Sequence, residues 1–237
     1  MNEQQFQQHV KTIGINITRE QIERFSTYYV TLIEWNKKMN LTGITEKAEV
    51  YEKHFYDSLT AAIAVDFEEV QTLCDVGAGA GFPSIPLAIC FPHIHVTIVD
   101  SLKKRISFLQ HLTTQLNLKN IHLFHERAEQ FGRRSTMRES FDIVTARAVA
   151  RLSVLSELCL PLVKQDGMFL VMKGPKIDDE VVEAKRALSI LGGKIIRSVE
   201  TKLPVENSER NLVVIKKNKQ TPKKYPRQPG IPNKQPL

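Results

Sequence analysis

The sequence predicts an α/β protein with a mainly parallel, seven-stranded sheet, a helical cap before it and a basic tail after it. Three observations carry that prediction. Between residues 66 and 215, short apolar stretches alternate with amphipathic ones, as strands do when helices cover both faces of a sheet. The first apolar stretch, "TLCDVG", runs into three glycines at alternate positions, Gly77, Gly79 and Gly81. The second ends on a carboxylate, Asp100, 25 residues after the Asp75 that closes the first.

Residues 1–65 read as helices. Phe6, Val10 and Ile13 share one face. Thr18 caps a second helix, in which Ile22, Phe25, Tyr29, Leu32 and Ile33 follow helical spacing. "NLTGIT" ends it, and a third helix runs from about Glu46 to Val65. In residues 66–215, "TLCDVG" is a buried strand and "SIPLAICF" a helix. Pro86 fits the first turn of that helix, where an N–H would have no partner anyway. "HVTIVD" is the second strand. Ser101 is expected to cap a long helix through Asn117, with Ile106, Leu109, Leu112 and Leu116 inward. "IHLFH" and "FDIVTAR" are the third and fourth strands, "LSVLSELCLPLV" a helix and "MFLVMKG" the fifth strand. A helix from Asp178 to Leu191 stops at Gly192–Gly193. "KIIRSVETKL" and "RNLVVIKK" close the domain as a hairpin, which breaks the alternation and adds an antiparallel strand.

The chain has 237 residues, 42% hydrophobic and 25% charged, an ordinary globular balance. No apolar run approaches the ~20 residues of a membrane helix, and "MNEQQFQQHVK" lacks the apolar core of a secretion signal. Cys74, Cys90 and Cys159 have neither metal-ligand nor paired spacing, so free thiols, a reducing cytoplasm and no metal are expected, in a monomer. The formal net charge of +7 resides in residues 216–237, which hold seven basic residues, five prolines and no acid. Such a segment is expected to be disordered, suited either to a polyanion or to solubility alone.

In an open parallel sheet, ligands bind beyond the carboxyl ends of the strands. Glycines in the first loop let a ligand approach backbone, and Asp100 lies near the spacing at which an acid takes a ribose hydroxyl pair. A dinucleotide needs G-x-G-x-x-G, but Phe82 stands where the third glycine would be. S-adenosylmethionine carries a sulfonium cation and no phosphate. It suits the form present, G-x-G-x-G, with Asp75 as an acidic entrance.

These stretches resemble the RsmG (GidB) ribosomal RNA methyltransferases. The matching segments are "EWNKKMNLTGI", "HFYDSL", "CDVGAGAGFPSIPLAI", "VDSLKKRISFL", "HERAEQF", "FDIVTARAVARL" and "MFLVMKG", in order from about residue 34 to 174. The resemblance implies a class I S-adenosylmethionine-dependent methyltransferase fold (Rossmann-like), S-adenosylmethionine as donor, and methylation of a guanine N7 in 16S rRNA, free or in a small-subunit particle. It also implies cofactor contacts at Gly77, Phe82, Ala128, Glu129 and Arg147.

The remaining candidates are weighed on chemistry. An acceptor at Glu129 suits the adenine amino group, with the Ala128 backbone against the ring. Phe82 is either core or a wall of the cofactor pocket. After the fourth strand, "TARAVARL" stands where enzymes that methylate exocyclic amines resemble one another in a D/N-P-P-Y/F tetrapeptide. Cytosine-C5 methylation needs a thiolate, and Cys159 sits in an apolar helical pattern. Guanine N7 already carries a lone pair, so orientation can suffice and no general base is expected. Arg147 and Arg151 are either surface ion pairs or contacts to cofactor and RNA. Arg127, Arg133, Arg134 and Arg138, with Lys103, Lys104 and Arg105, are expected to form a basic rim for phosphates. His54 and Asp57 are helical neighbours, open to packing or substrate roles, and Lys173 is a weaker substrate-side candidate. The rival readings are methylation of another RNA or a protein, an RNA-binding protein keeping the cofactor as a structural ligand, and a nucleotide-dependent oxidoreductase, which Phe82 disfavours.

Overall fold

The computed structural model describes residues 1–147, 150–175 and 177–237. Seven strands form one sheet: β1 (Thr72–Val76), β2 (His95–Asp100), β3 (Ile121–His125), β4 (Phe141–Arg147), β5 (Val163–Lys173), β6 (Gly193–Lys202) and β7 (Glu209–Lys217). Their order is β3-β2-β1-β4-β5-β7-β6. β1 to β5 are parallel, and β7 enters antiparallel between β5 and β6. Strand order reverses between β1 and β4, so the chain leaves these neighbours in opposite directions and opens a crevice at their carboxyl ends.

Alternation along the strands feeds two cores. Leu73 and Leu170 face one side, where they join Phe6, Phe25, Tyr28 and Phe55 of the N-terminal helices. Cys74 and Val171 face the other, against Leu155, Leu188 and Tyr225. The helical cap, α1 (Glu3–Thr12) and α2 (Arg19–Met39), therefore shares its core with the sheet. Thr18 caps α2 as expected, in a reciprocal pair with Gln21. The inward tyrosine of α2 is Tyr28 rather than Tyr29, and its hydroxyl donates to the Ala80 carbonyl at 2.5 Å. The predicted third helix is one right-handed run, α3 (Lys47–Val50), a π-helical section (Tyr51–Tyr56), α4 (Asp57–Leu59) and α5 (Ala61–Ala64).

The crossover helices are α6 (Ser84–Cys90), α7 (Lys103–Gln115), α8 (Ala128–Phe131), α9 (Leu152–Cys159) and α10 (Asp178–Leu191). α10 begins and ends where the sequence placed it, with Gly192 left-handed after it. Ser101 does not cap α7. The cap residue is Leu102 and no side chain caps the helix; the Asp100 carboxylate accepts the Leu102 N–H at 2.9 Å and so fixes the turn that leads into α7.

The largest departure from expectation is the tail. Residues 216–237 are ordered as a strap along the α8–α9 side of the sheet, with α11 (Ile231–Lys234) near its end. Lys217 is buried, with its Nζ donating to the Leu160 carbonyl and Thr221 Oγ1 and paired with Glu139. Arg138 donates to the carbonyls of Thr221 (2.8 Å) and Tyr225 (2.7 Å), and Arg133 to that of Pro226 (2.8 Å). Arg227 grips the buried Glu157 with both Nε (2.9 Å) and Nη2 (2.6 Å). A proline-rich chain cannot satisfy its own carbonyls through a ladder. Arg133 and Arg138, two of the seven residues expected in a basic rim for phosphates, satisfy them instead.

Replacing Arg138 with alanine removes a charged donor shared by several carbonyls. It is expected to cost about 1.5–3 kcal/mol in urea unfolding, the range for hydrogen bonds to charged groups. Arg138→Lys should recover only part, because one ammonium lacks the planar fork.

Candidate functional site

A cavity of about 900 Å³ opens at the carboxyl end of the sheet, over the crevice between β1 and β4. Its floor is the glycine loop. Gly77 and Gly79 have φ of +76° and +62°, a region that L side chains adopt at a cost. A Cβ on Gly79 would meet nothing within 4 Å, so this stretch of backbone borders open space. The Gly79 N–H donates to Asp100 Oδ2 at 3.2 Å, and Arg105 approaches the same oxygen at 3.3 Å. Asp100 thus ties the loops after β1 and β2 together while lining the cavity.

Two predicted loop contacts belong to the interior instead. Gly81 does not line the cavity. A Cβ there would meet Ile85 at 2.7 Å and the Tyr28 hydroxyl at 2.8 Å, so close packing of α2 and α6 requires the glycine. Asp75 is fully buried beneath the loop, not at its entrance. Its Oδ2 accepts from the Ser84 N–H at 3.3 Å, and its Oδ1 meets no donor among the described residues. Burial pushes its pKa up to about 7, against the lowering influence of Ser84 and Arg147.

On the β3 side, Ala128 and Glu129 open α8 and line the cavity. Glu129 is buried, and its Oε1 accepts the N–H of Gly230 at 2.9 Å. Gly230 and Asn233 of the strap line the same cavity. Composition pointed away from both, because a proline-rich basic segment reads as solvated chain.

On the opposite side the cap meets the sheet. The π-helical section and the residue after it bring His54 and Asp57 onto the cavity. Asp57 holds two guanidinium groups, Arg147 Nη1 at 2.9 Å and Arg210 Nε at 2.9 Å. Arg147 also lies over the Phe82 ring, 4.9 Å from its centroid, and His54 stacks on that ring at 4.5 Å. Phe82 is therefore both buried and a cavity wall. His54 Nε2 lies 2.7 Å from Thr42 Oγ1, and its Nδ1 faces Arg147 Nη2 at 3.4 Å. A guanidinium only donates, so Nδ1 is the acceptor and the proton sits on Nε2. Burial, then the Arg147 charge, lowers the His54 pKa to about 3.

Lys173 lines the cavity with its Nζ on the Ala150 carbonyl (2.6 Å) and Glu180 (2.9 Å). Arg151 does not line it. That residue is exposed and 4.0 Å from Glu183. Arg210 and Thr42 were missed by the sequence reading. The signal for Arg210 was present, since an antiparallel β7 must begin at the edge where the parallel strands end. Among the described residues no cluster of three His, Cys, Asp or Glu could hold a metal ion, and no helix is long and apolar enough to cross a membrane.

Comparison with known proteins agrees with this architecture. A family model described as rRNA small subunit methyltransferase G matches residues 21–220. Proteins named ribosomal RNA small subunit methyltransferase G from Bacillus licheniformis and Bacillus subtilis are 60% and 59% identical over 237 residues, covering 100% of this chain and 99% of each relative. Among solved structures, a predicted O-methyltransferase from Agrobacterium tumefaciens is similar with a TM-score of 0.53 at 19% identity, covering 70% of this chain and 82% of its own. TYW2 of M. jannaschii in complex with AdoMet is similar at 0.50 and 18%, covering 62% and 68%. These structural likenesses establish the class I methyltransferase fold.

His54 is expected to stay neutral from pH 8 down to pH 5, so its imidazole NMR signals should not titrate there. A histidine whose folded pKa is depressed favours folding above its unfolded value of about 6.5 and opposes it as pH falls. Wild-type stability should therefore drop between about pH 6.5 and 3 more steeply than that of a His54→Gln variant, as followed by thermal melts.

Proposed function

The chain belongs to the rRNA small subunit methyltransferase G family, and from that membership we propose that it transfers a methyl group from S-adenosylmethionine to N7 of a guanine in 16S rRNA, in the cytoplasm. The observation that carries the reading is one continuous cavity with two differently built halves. One half is glycine backbone, Asp100 and Glu129. The other is Phe82, His54, Arg147, Arg210 and Lys173.

The residues present fit S-adenosylmethionine. The open space beside Gly79 admits a ligand against backbone, and Asp100 presents a carboxylate where a ribose would lie. Glu129 and the Ala128 backbone suit an adenine, and Arg147, one of two arginines sharing the single carboxylate of Asp57, contributes net positive charge toward the cofactor's carboxylate. When bound, S-adenosylmethionine supplies a methyl group activated on a sulfonium.

The chain's own task is orientation. N7 of guanine needs no proton removed, so the enzyme must align the base and keep water out. Neutral His54, stacked on Phe82 with Nε2 on Thr42 and its Nδ1 lone pair facing Arg147, has no free basic nitrogen to offer. Asp57, already committed to two arginines, is not free to act as one. Arg210 and Lys173 give the substrate half a positive field suited to a nucleotide.

Three measurements test the proposal. Gly79→Val places a branched side chain in the open space, at a strained φ. It should abolish S-adenosylmethionine binding by calorimetry in a protein that still folds. Asp100→Ala should weaken that binding by roughly 1.5–3 kcal/mol, and wild-type affinity would show that Asp100 is not the ribose acid. Single-turnover methylation of 16S rRNA should show no log-linear rise between about pH 6 and 8, where a tuned general base would titrate. Asp75→Asn controls for the buried carboxyl that ionises in that window. A steep rise retained in the control would mean a proton is removed and N7 is the wrong atom. Mass mapping of rRNA from cells with and without the protein identifies the guanine.

A further inference from the structure

The strap is anchored by contacts that lie outside the cavity. Arg227 is locked to a Glu157 that is only 1% exposed in the folded protein. Arg133 and Arg138 hold the carbonyls between Thr221 and Pro226. Beyond this anchor the chain turns toward the cavity. Gly230, at φ +84°, gives its N–H to Glu129, and Asn233 reaches the cavity lining three residues later.

The Asn233 side chain makes no hydrogen bond to the described residues and is exposed at the cavity. A carboxamide offers one acceptor and two donors in a plane. That set matches the amino group and ring nitrogen on the edge of adenine, which asparagine can pair with bidentately. Along the sheet, Asp100 ends β2 and Glu129 lies beyond β3. A base attached to a ribose at Asp100 would fall on the Glu129 side, where the strap arrives. The strap also lies almost wholly beyond residues 21–220, the part of the chain that the family model matches.

Building on the S-adenosylmethionine reading, we propose that the C-terminal strap is a wall of the cofactor site, in which Gly230 fixes the Glu129 carboxylate and Asn233 binds the adenine base through its carboxamide. The strap thus couples cofactor affinity to a segment beyond the family model's match, one that the full-length relatives also span. Glu129 keeps Oε2 for the ligand while Gly230 occupies Oε1.

The test uses the full chain and two probes, S-adenosylhomocysteine and S-inosylhomocysteine, which share the amino-acid end and differ at the purine C6 position. Wild type is expected to bind the adenine compound more tightly by calorimetry. Asn233→Ala should weaken S-adenosylhomocysteine about fivefold to tenfold and change S-inosylhomocysteine little, which narrows the preference. Deleting residues 229–237, which leaves the Arg227–Glu157 anchor in place, should reproduce that loss. If the deleted protein does not melt cooperatively, the exposed Asn233→Ala substitution still decides. Wild-type affinity of Asn233→Ala for both probes, or an equal loss for both, overturns the assignment while leaving the methyltransferase reading intact. Failure of the wild-type protein to bind S-adenosylhomocysteine overturns that reading, and this proposal with it.

Discussion

Asp57 between Arg147 and Arg210 is the contact on which the site's geometry depends. The three residues come from the start of α4, the end of β4 and the start of β7. A carboxylate held by two guanidinium groups binds the helical cap to both halves of the sheet at the point where the cavity opens. Side-chain exposure is 9% for Asp57 and 14% for Arg147, so this is a largely desolvated pair. Removing one partner of such a pair leaves an uncompensated buried charge, which typically costs about 3–5 kcal/mol. The Arg147 charge, after burial, also keeps His54 neutral. The ion pair therefore fixes where the cap sits and adds to the burial that keeps the cavity-lining His54 neutral.

A second tie joins the cap to the glycine loop. Tyr28 reaches from α2 to the Ala80 carbonyl, inside the glycine loop, and the same hydroxyl would collide with any side chain at position 81. The three alternate glycines thus have different causes. Gly77 and Gly79 border the cavity at positive φ. Gly81 shares the positive φ but lies in the interior, where Ile85 and the Tyr28 hydroxyl from the cap occupy its side-chain space. A sequence read along one strand–turn–helix unit carries no information about that tyrosine, 53 residues upstream by the numbering.

Legibility in the sequence tracks the range of the forces involved. Strand and helix boundaries such as Asp178–Leu191 are set by neighbours a few residues away, and the closing hairpin by adjacent apolar runs. Cavity residues at strand ends, Asp100, Glu129, Arg147 and Lys173, were legible because parallel topology places strand ends together. Most misplaced features depend on partners distant in the chain. Asp75 was drawn under the loop, and Arg133 and Arg138 met the tail instead of solvent. Ser101 is the local exception: α7 starts one residue later than read, after a Leu102 whose N–H is held by Asp100. The tail misled most. Its composition rules out a core of its own, but not a groove of arginines that supplies donors for its carbonyls.

Ordering the tail changes what its charge can do. Of its seven basic residues, Lys216 faces Asp166, Lys217 faces Glu139 and Arg227 faces Glu157. Lys219, Lys223, Lys224 and Lys234 are exposed and have no acidic partner among the described residues. A flexible basic arm spreads its charges over many conformations and loses chain entropy when it settles on a polyanion. Four lysines on an anchored strap lose much less, and their positions relative to the cavity are set before any RNA arrives. The same strap brings Gly230 and Asn233 to the cavity lining. The strap thereby fixes where these lysines stand on the molecule, from Lys219 beside Gly192 at the far end of β7 to Lys234 next to the cavity-lining Asn233.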